Sequence, residues 1–170
     1  MVTKRRAILA AALLAAAAGL WWFLRAPSPE EQIEAQLATL CRLVGKKPGE
    51  GALQMASKVH SLPSVFANPV EIRGDAGPVA GRHTPTELAS LILRVRASAD
   101  TIDLGYTDLA VELQPPDEAA VRFTCKLRVA ANQAGGGGGD AYREVAGRLR
   151  RVEGRWVFSQ FNVVNVMKGQ

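Results

Sequence analysis

The chain has 170 residues, of which 48% are hydrophobic and 22% are charged, and its formal net charge at pH 7 is +5. This length suits one domain with an appendage and is too short for two ordinary domains. Four of the 21 basic residues lie within the first 25 positions, and the other 17 accompany 16 acidic residues, a net charge of +1. The high overall charge therefore gives no support for nucleic-acid binding.

An apolar segment at residues 7–24 contains no charged side chain. As a helix its 18 residues would extend about 27 Å at about 1.5 Å per residue, close to the thickness of a bilayer core. Basic residues precede the segment, which favours a cytoplasmic N-terminus. We predict a single-pass protein of a bacterial inner membrane. Residues 1–25 would form the cytoplasmic tip and anchor, residues 26–28 a linker, and residues 29–168 a periplasmic domain.

A cleaved signal peptide is the alternative interpretation of this segment, because residues 16–18 are three small alanines after an apolar stretch. Cleavage there would leave Trp21, Trp22 and Phe23 near the new N-terminus. A water-soluble protein would have to bury such a cluster, so we favour a retained anchor.

Cys41 and Cys125 are the only cysteines. Outside the cytoplasm they could form a disulfide, and two buried thiols are the alternative. The only histidines are His60 and His83, and no metal-ligand spacing is present. We therefore predict neither a metal site nor a cofactor.

Two capping boxes predict the starts of helices. Ser28 is followed by Pro29 and Glu31, and Thr84 is followed by Pro85 and Glu87. The first helix should run to about Val44, and the other should fray near Ser98. A shorter helix is predicted over residues 51–62. The apolar positions expected to face the core in these three helices are Ile33, Leu37, Leu40, Cys41 and Val44; Leu53, Ala56 and Val59; and Leu88, Leu91, Ile92 and Val95.

Strands are predicted at residues 70–73 and then along most of the chain from Thr101 onward. An irregularity is expected at Gly105 or at Thr107 and Asp108. The last hairpin turns at Glu153 and Gly154, with a bulge or bend between Gln160 and Val164. Residues 135–139, a run of five glycines, should form a hairpin tip.

This order of elements resembles the nuclear transport factor 2-like superfamily, which is also called cystatin-like or SnoaL-like. The residues that carry the resemblance are the strand 70–73 after two helices, and residues 154–158 with the closing strand. The resemblance implies an α+β fold in which a curved antiparallel sheet wraps around N-terminal helices. It also implies a pocket at the open end of a cone.

Isomerase-type members of that superfamily use a tyrosine and two carboxylic acids in an apolar cavity. No such set can be matched to this sequence. The pocket candidates, taken from their places on the predicted elements, are His60, Tyr106, Asp108, Gln160 and Asn162.

The sequence therefore predicts a membrane-anchored binding or protein-interaction module outside the cytoplasm. The alternative is a small isomerase or cyclase-like enzyme that uses the cone pocket. The expected partners are the membrane through residues 7–24, a small apolar ligand, and either a protein partner or a second copy bound through the sheet.

Overall fold

The computed structural model describes residues 27–74, 77–131 and 140–164. Within these ranges there are three α-helices: α1 (Pro29–Val44), α2 (Ala52–Ser61) and α3 (Pro85–Ser98). The six strands are β1 (Phe66–Gly74), β2 (Gly81–His83), β3 (Ala99–Gln114), β4 (Glu118–Ala131), β5 (Asp140–Val152) and β6 (Arg155–Val164).

Both predicted capping boxes are formed. At the start of α1 the Ser28 hydroxyl accepts a hydrogen bond from the Glu31 backbone N–H, and the Glu31 carboxylate accepts one from the Ser28 N–H at 2.8 Å. Thr84 and Glu87 make the same pair of bonds at the start of α3. These bonds satisfy backbone N–H groups that have no partner within the helix, which confirms both predicted starts.

The strands form one sheet in the order β2-β1-β6-β5-β4-β3. The β1–β6 pair is parallel and all other neighbours are antiparallel. Helices α1 and α3 pack against this sheet, whereas α2 contacts the other two helices. Helices packed on one mainly antiparallel sheet confirm the α+β class. The short strand β2 lies between the two regions, residues 70–73 and the chain from Thr101 onward, in which strands were predicted, so it was not predicted.

The last hairpin follows its prediction. Glu153 and Gly154 have φ angles of 51° and 79°, and two successive positive angles match the right-handed twist of a tight hairpin. Along β5, Val145, Gly147 and Leu149 are buried on one face of the strand. On the other face Arg148, Arg150 and Val152 are exposed. One face of this hairpin therefore belongs to the core.

Two strands contain bulges. In β3 the register with β4 shifts between Thr107 and Ala110, where Asp108 has a φ angle of 56°, and this confirms one of the two predicted positions. In β6 the register shifts opposite Arg148 and Leu149, so the irregularity falls at Ser159, earlier than predicted. A bulge bends its strand and increases the local twist, which favours a curved sheet.

The core lies between the helices and one face of the sheet. Trp156 and Phe158 of β6 are 6% and 0% exposed. They belong to the same apolar cluster as Ile33 and Leu37 of α1 and Leu88 of α3. The predicted stripes of α1 and α3 thus pack on the Trp156 face.

Three predicted core positions are wrong. Leu53 on α2 is 85% exposed, Ala56 is exposed as well, and α2 contains no fully buried residue. Val95 on α3 is 51% exposed, because Ala89 and Arg96, seven residues apart, occupy the buried face of that helix instead.

Within the three described ranges, no helix is long and apolar enough to cross a membrane. The predicted anchor at residues 7–24 and the glycine run at residues 135–139 lie outside those ranges.

Candidate functional site

A cavity of about 280 Å³ lies between α1 and the concave face of the sheet. We call it the inner chamber. The described residues that line it have apolar side chains or thiols, apart from one glycine. These are Leu37, Leu40, Cys41, Ile72, Val79, Leu104, Gly105, Phe123, Cys125, Val145, Phe161 and Val163.

A second cavity, the outer chamber, has a volume of about 470 Å³ and lies between α3 and strands β3 and β4. It shares the side chains of Ile72, Val79 and Leu104 with the inner chamber, so the two cavities adjoin. Its other lining residues are Val44, Leu88, Leu91, Ile92, Arg94, Val95, Ile102, Leu127 and Val129. Among the described residues that line either chamber, Arg94 is the one with a charged side chain.

The two thiols line the same inner chamber and are free. Burial, and then the negative charge that Cys125 would carry, raise the pKa of the Cys41 thiol to about 11. Burial also raises the pKa of Cys125. Both groups are therefore neutral thiols at pH 7, which suits an apolar lining.

Tyr106 is the predicted site residue that faces the interior. Its ring meets that of Phe123 edge to face, with the centroids 6.4 Å apart. Burial, followed by the negative charges of Glu34 and of a Cys41 thiolate, raises the pKa of Tyr106. The hydroxyl thus stays protonated at neutral pH and can donate a hydrogen bond.

The other four predicted site residues lie elsewhere. His60 is exposed on α2. Asp108 is exposed at the β3 bulge, where it accepts a hydrogen bond from the Thr107 hydroxyl at 2.9 Å. Gln160 and Asn162 line a groove of about 380 Å³ on the opposite face of the sheet, beside Glu112, Arg122 and Arg148. The structure therefore does not bring the five residues together.

Sequence reasoning missed a buried polar cluster at the C-terminal end of α1. Arg96 is fully buried and donates hydrogen bonds to the backbone carbonyls of Leu43, Val44 and Gly45 and to the Glu50 carboxylate. Lys58 donates to the other oxygen of Glu50 at 2.7 Å. No local pattern in the sequence marks Arg96, which looks like any other basic residue on a helix.

Burial tends to raise the pKa of Glu50, but the hydrogen bond from Lys58 and the charges of Arg96 and Lys58 outweigh it. The net pKa of Glu50 lies below its ordinary value, so the carboxylate is ionised at neutral pH. Neither Arg96 nor Glu50 lines either chamber, and we assign the cluster a structural role. In the part of the chain that the structure describes, no group of three or more His, Cys, Asp or Glu residues could hold a metal ion.

No family model matches the sequence, and no curated protein matches it either. Solved structures do match. A candidate scytalone dehydratase from Novosphingobium aromaticivorans has a TM-score of 0.65 and 13% identity, with 80% of this chain and 83% of that chain covered. A candidate dehydratase of the nuclear transport factor 2-like family from Streptomyces avermitilis has a TM-score of 0.62 and 16% identity, with coverages of 83% and 100%.

A third structure, a nuclear transport factor 2-like protein with a cystatin-like fold from Novosphingobium aromaticivorans, has a TM-score of 0.61 and 15% identity. The match covers 92% of this chain and 90% of that chain. At such identities the likeness shows the fold alone. The described part of the chain has the α+β cone of nuclear transport factor 2-like proteins, with a curved sheet and three α-helices.

Proposed function

We propose that the cone binds a small apolar molecule in its two chambers, and that the protein is a binding module. The observation that carries this proposal is the composition of the chamber walls, which are aliphatic, aromatic or thiol side chains apart from Arg94. Burial of apolar surface contributes about 25 cal/mol per Å², so such walls favour an apolar ligand over water.

The sizes of the chambers agree with this function. Pockets that bind small molecules usually have volumes of about 300 to 1,000 Å³. The inner chamber has about 280 Å³ and the outer chamber about 470 Å³, and they share three side chains. Together they offer space for one molecule that extends from the surface into the cone.

We further propose that residues 7–24 hold this domain on the outer side of a membrane. The segment is apolar, basic residues precede it, and α1 begins at Pro29, only a few residues after it. The domain would then lie close to the bilayer, where apolar molecules concentrate. Alkaline phosphatase fused after Gln170 should be active and should sediment with membranes. Active but freely soluble phosphatase would indicate cleavage, and inactive phosphatase would contradict the orientation.

A small lyase or isomerase is the second candidate, favoured by the protonated hydroxyl of Tyr106, whose ring packs against the core and whose pKa is raised by burial and by the charge of Glu34. Two of the similar structures are candidate dehydratases. In such an enzyme Tyr106 would donate a hydrogen bond or a proton to the substrate. Tyr106→Phe separates the two functions, because it would abolish catalysis and leave the binding of an apolar ligand nearly unchanged.

The binding function can be tested with the full chain in phosphatidylcholine nanodiscs. The probe is phenylnaphthylamine, a neutral molecule that fluoresces in apolar sites, and empty nanodiscs provide the blank. Leu104 lines both chambers, so Leu104→Trp should narrow their junction and weaken the saturable signal, whereas Leu104→Met keeps the volume and should keep the signal. Equal binding by the wild type and by Leu104→Trp would contradict the proposal.

A further inference from the structure

We propose that the ligand of the two chambers is a free, single-tailed anionic amphiphile of the fatty-acid type. Its acidic head would pair with Arg94 at the rim of the outer chamber, and its aliphatic tail would pass Leu104 into the inner chamber. This inference rests on the proposed binding function and specifies its ligand.

The position of Arg94 supports an acidic head group. Arg94 is exposed on α3 and lines the outer chamber, next to Val95 and three residues after Leu91. Among the described residues it makes neither an ion pair nor a side-chain hydrogen bond. A guanidinium presents a planar fork of N–H donors that matches a carboxylate. The rim of this apolar cavity therefore offers an anion-binding group that no side chain of the described domain uses.

The charge balance of the walls determines which head group fits. Among the described residues, no carboxylate and no histidine lines either chamber, so a cationic head would meet Arg94 without a compensating negative charge from these walls. A neutral alcohol could occupy the space but would gain only an ordinary hydrogen bond. A monoanionic head gains a charge-assisted bond, which is about twice as strong as a neutral one.

The shape of the chambers supports one tail. The outer chamber has a volume of about 470 Å³ and the inner chamber a smaller one of about 280 Å³, and Ile72, Val79 and Leu104 contribute to both. Beyond these shared residues the walls include Phe123, Phe161 and the two neutral thiols, which suit methylene groups. The smaller inner volume favours one acyl chain over two side by side.

The experiment compares octanoate, octanol and octylamine, three ligands with the same tail length and different heads. Binding is measured by titration calorimetry on the full chain in phosphatidylcholine nanodiscs, with empty nanodiscs as the blank. Octanoate should bind most tightly and octylamine least. Arg94→Gln should weaken octanoate about three- to tenfold and leave octanol unchanged, whereas Arg94→Lys should restore part of the loss. Each methylene added to the acid should tighten binding by up to about fourfold.

Arg122→Gln is the matched control, because Arg122 is an exposed arginine on the opposite face of the sheet. It should leave octanoate binding unchanged. If octanol and octanoate bind equally and Arg94→Gln changes neither, the anionic ligand is overturned while the binding function stands. The same conclusion follows if Arg122→Gln weakens octanoate as much as Arg94→Gln does. If none of the three ligands binds, the binding function fails as well.

Discussion

Arg96 and Glu50 form an ion pair inside the protein, although 46 positions separate them in the sequence. The side chains of Arg96 and Glu50 are 0% and 3% exposed. The same guanidinium donates to the carbonyls of Leu43, Val44 and Gly45 at 2.6 to 3.0 Å. Carbonyls at the end of a helix lack partners within it, so one arginine joins α3 to the end of α1.

Removal of this arginine should be costly. Arg96→Met keeps a long apolar side chain but removes the donor to three backbone carbonyls and to one oxygen of Glu50, whose buried carboxylate would keep only Lys58. We expect the free energy of unfolding to fall by about 3 to 5 kcal/mol. Arg94→Met, two residues earlier and exposed, should change it by less than about 0.5 kcal/mol. Urea denaturation of both variants measures the difference, and similar losses in the two would contradict the assigned role of Arg96.

The ion pair of Arg96 and Glu50 predicts that the stability of the fold depends on pH. The pKa of Glu50 in the folded protein lies below its ordinary value of 4.5, so its ionised form stabilises the folded state above about pH 4.5. This stabilisation is lost as the pH falls through the lower, folded-state pKa. The difference in stability between the wild type and Glu50→Gln should therefore be largest near neutral pH and shrink in acid.

Glu144→Gln serves as the control for this pH series, since Glu144 is exposed on β5. Its effect on stability should stay within about 0.5 kcal/mol throughout. A gap between wild type and Glu50→Gln that stayed constant from neutral pH to pH 3 would show that ionisation of Glu50 does not support the fold.

Trp156 should contribute strongly to the stability of the domain, because its ring is buried in the core. Trp156→Ala is expected to cost about 3 to 5 kcal/mol, while Arg155→Ala, exposed and adjacent, should cost less than about 0.5 kcal/mol. The buried Trp156 Nε1 has no hydrogen-bond partner among the described residues, so Trp156→Phe removes an unsatisfied donor and should cost less than Trp156→Ala. Chemical denaturation measures the free energy of unfolding of the three variants. Equal losses of stability in Trp156→Ala and Arg155→Ala would show that Trp156 does not lie on the core face.

The Cys41 thiol should react slowly. With a pKa of about 11, roughly one molecule in a thousand carries the thiolate at pH 8, and the rate with iodoacetamide should rise about tenfold per pH unit toward pH 11. Cys125→Ala isolates Cys41 for this measurement. Leu53→Cys, in a chain without the two native cysteines, supplies a reference at a position that is 85% exposed. A Cys41 rate equal to the reference rate at pH 8 would contradict the burial of this thiol.

Features with local causes could be predicted from the sequence. The capping boxes at Ser28 and Thr84 depend on residues three positions apart, and the turn at Glu153 and Gly154 depends on two neighbouring residues. The alternation along β5 likewise shows which face is buried. Such signals fix the order of elements, and the order was sufficient to indicate the fold.

Features with tertiary causes could not be predicted. Arg96 is buried because Glu50 and the end of α1 meet it, and Leu53 is exposed because no element packs over its side of α2. Because the β6 bulge lies at Ser159, Gln160 and Asn162 lie on the face of the sheet opposite the helices, away from Tyr106. The chambers themselves arise from the space that helices and sheet leave between them, which no single segment encodes.

Methyl NMR can show whether the cone holds an apolar ligand. The full chain, labelled at isoleucine and leucine methyl groups, is titrated with octanol in phosphatidylcholine nanodiscs. Ile72, Leu104 and Leu127 line the chambers, whereas Leu53 and Leu113 are exposed elsewhere. If octanol binds in the chambers, the methyl signals of Ile72, Leu104 and Leu127 should shift saturably, and those of Leu53 and Leu113 should keep their positions. Shifts confined to Leu53 and Leu113, or no saturable shift at all, would contradict it.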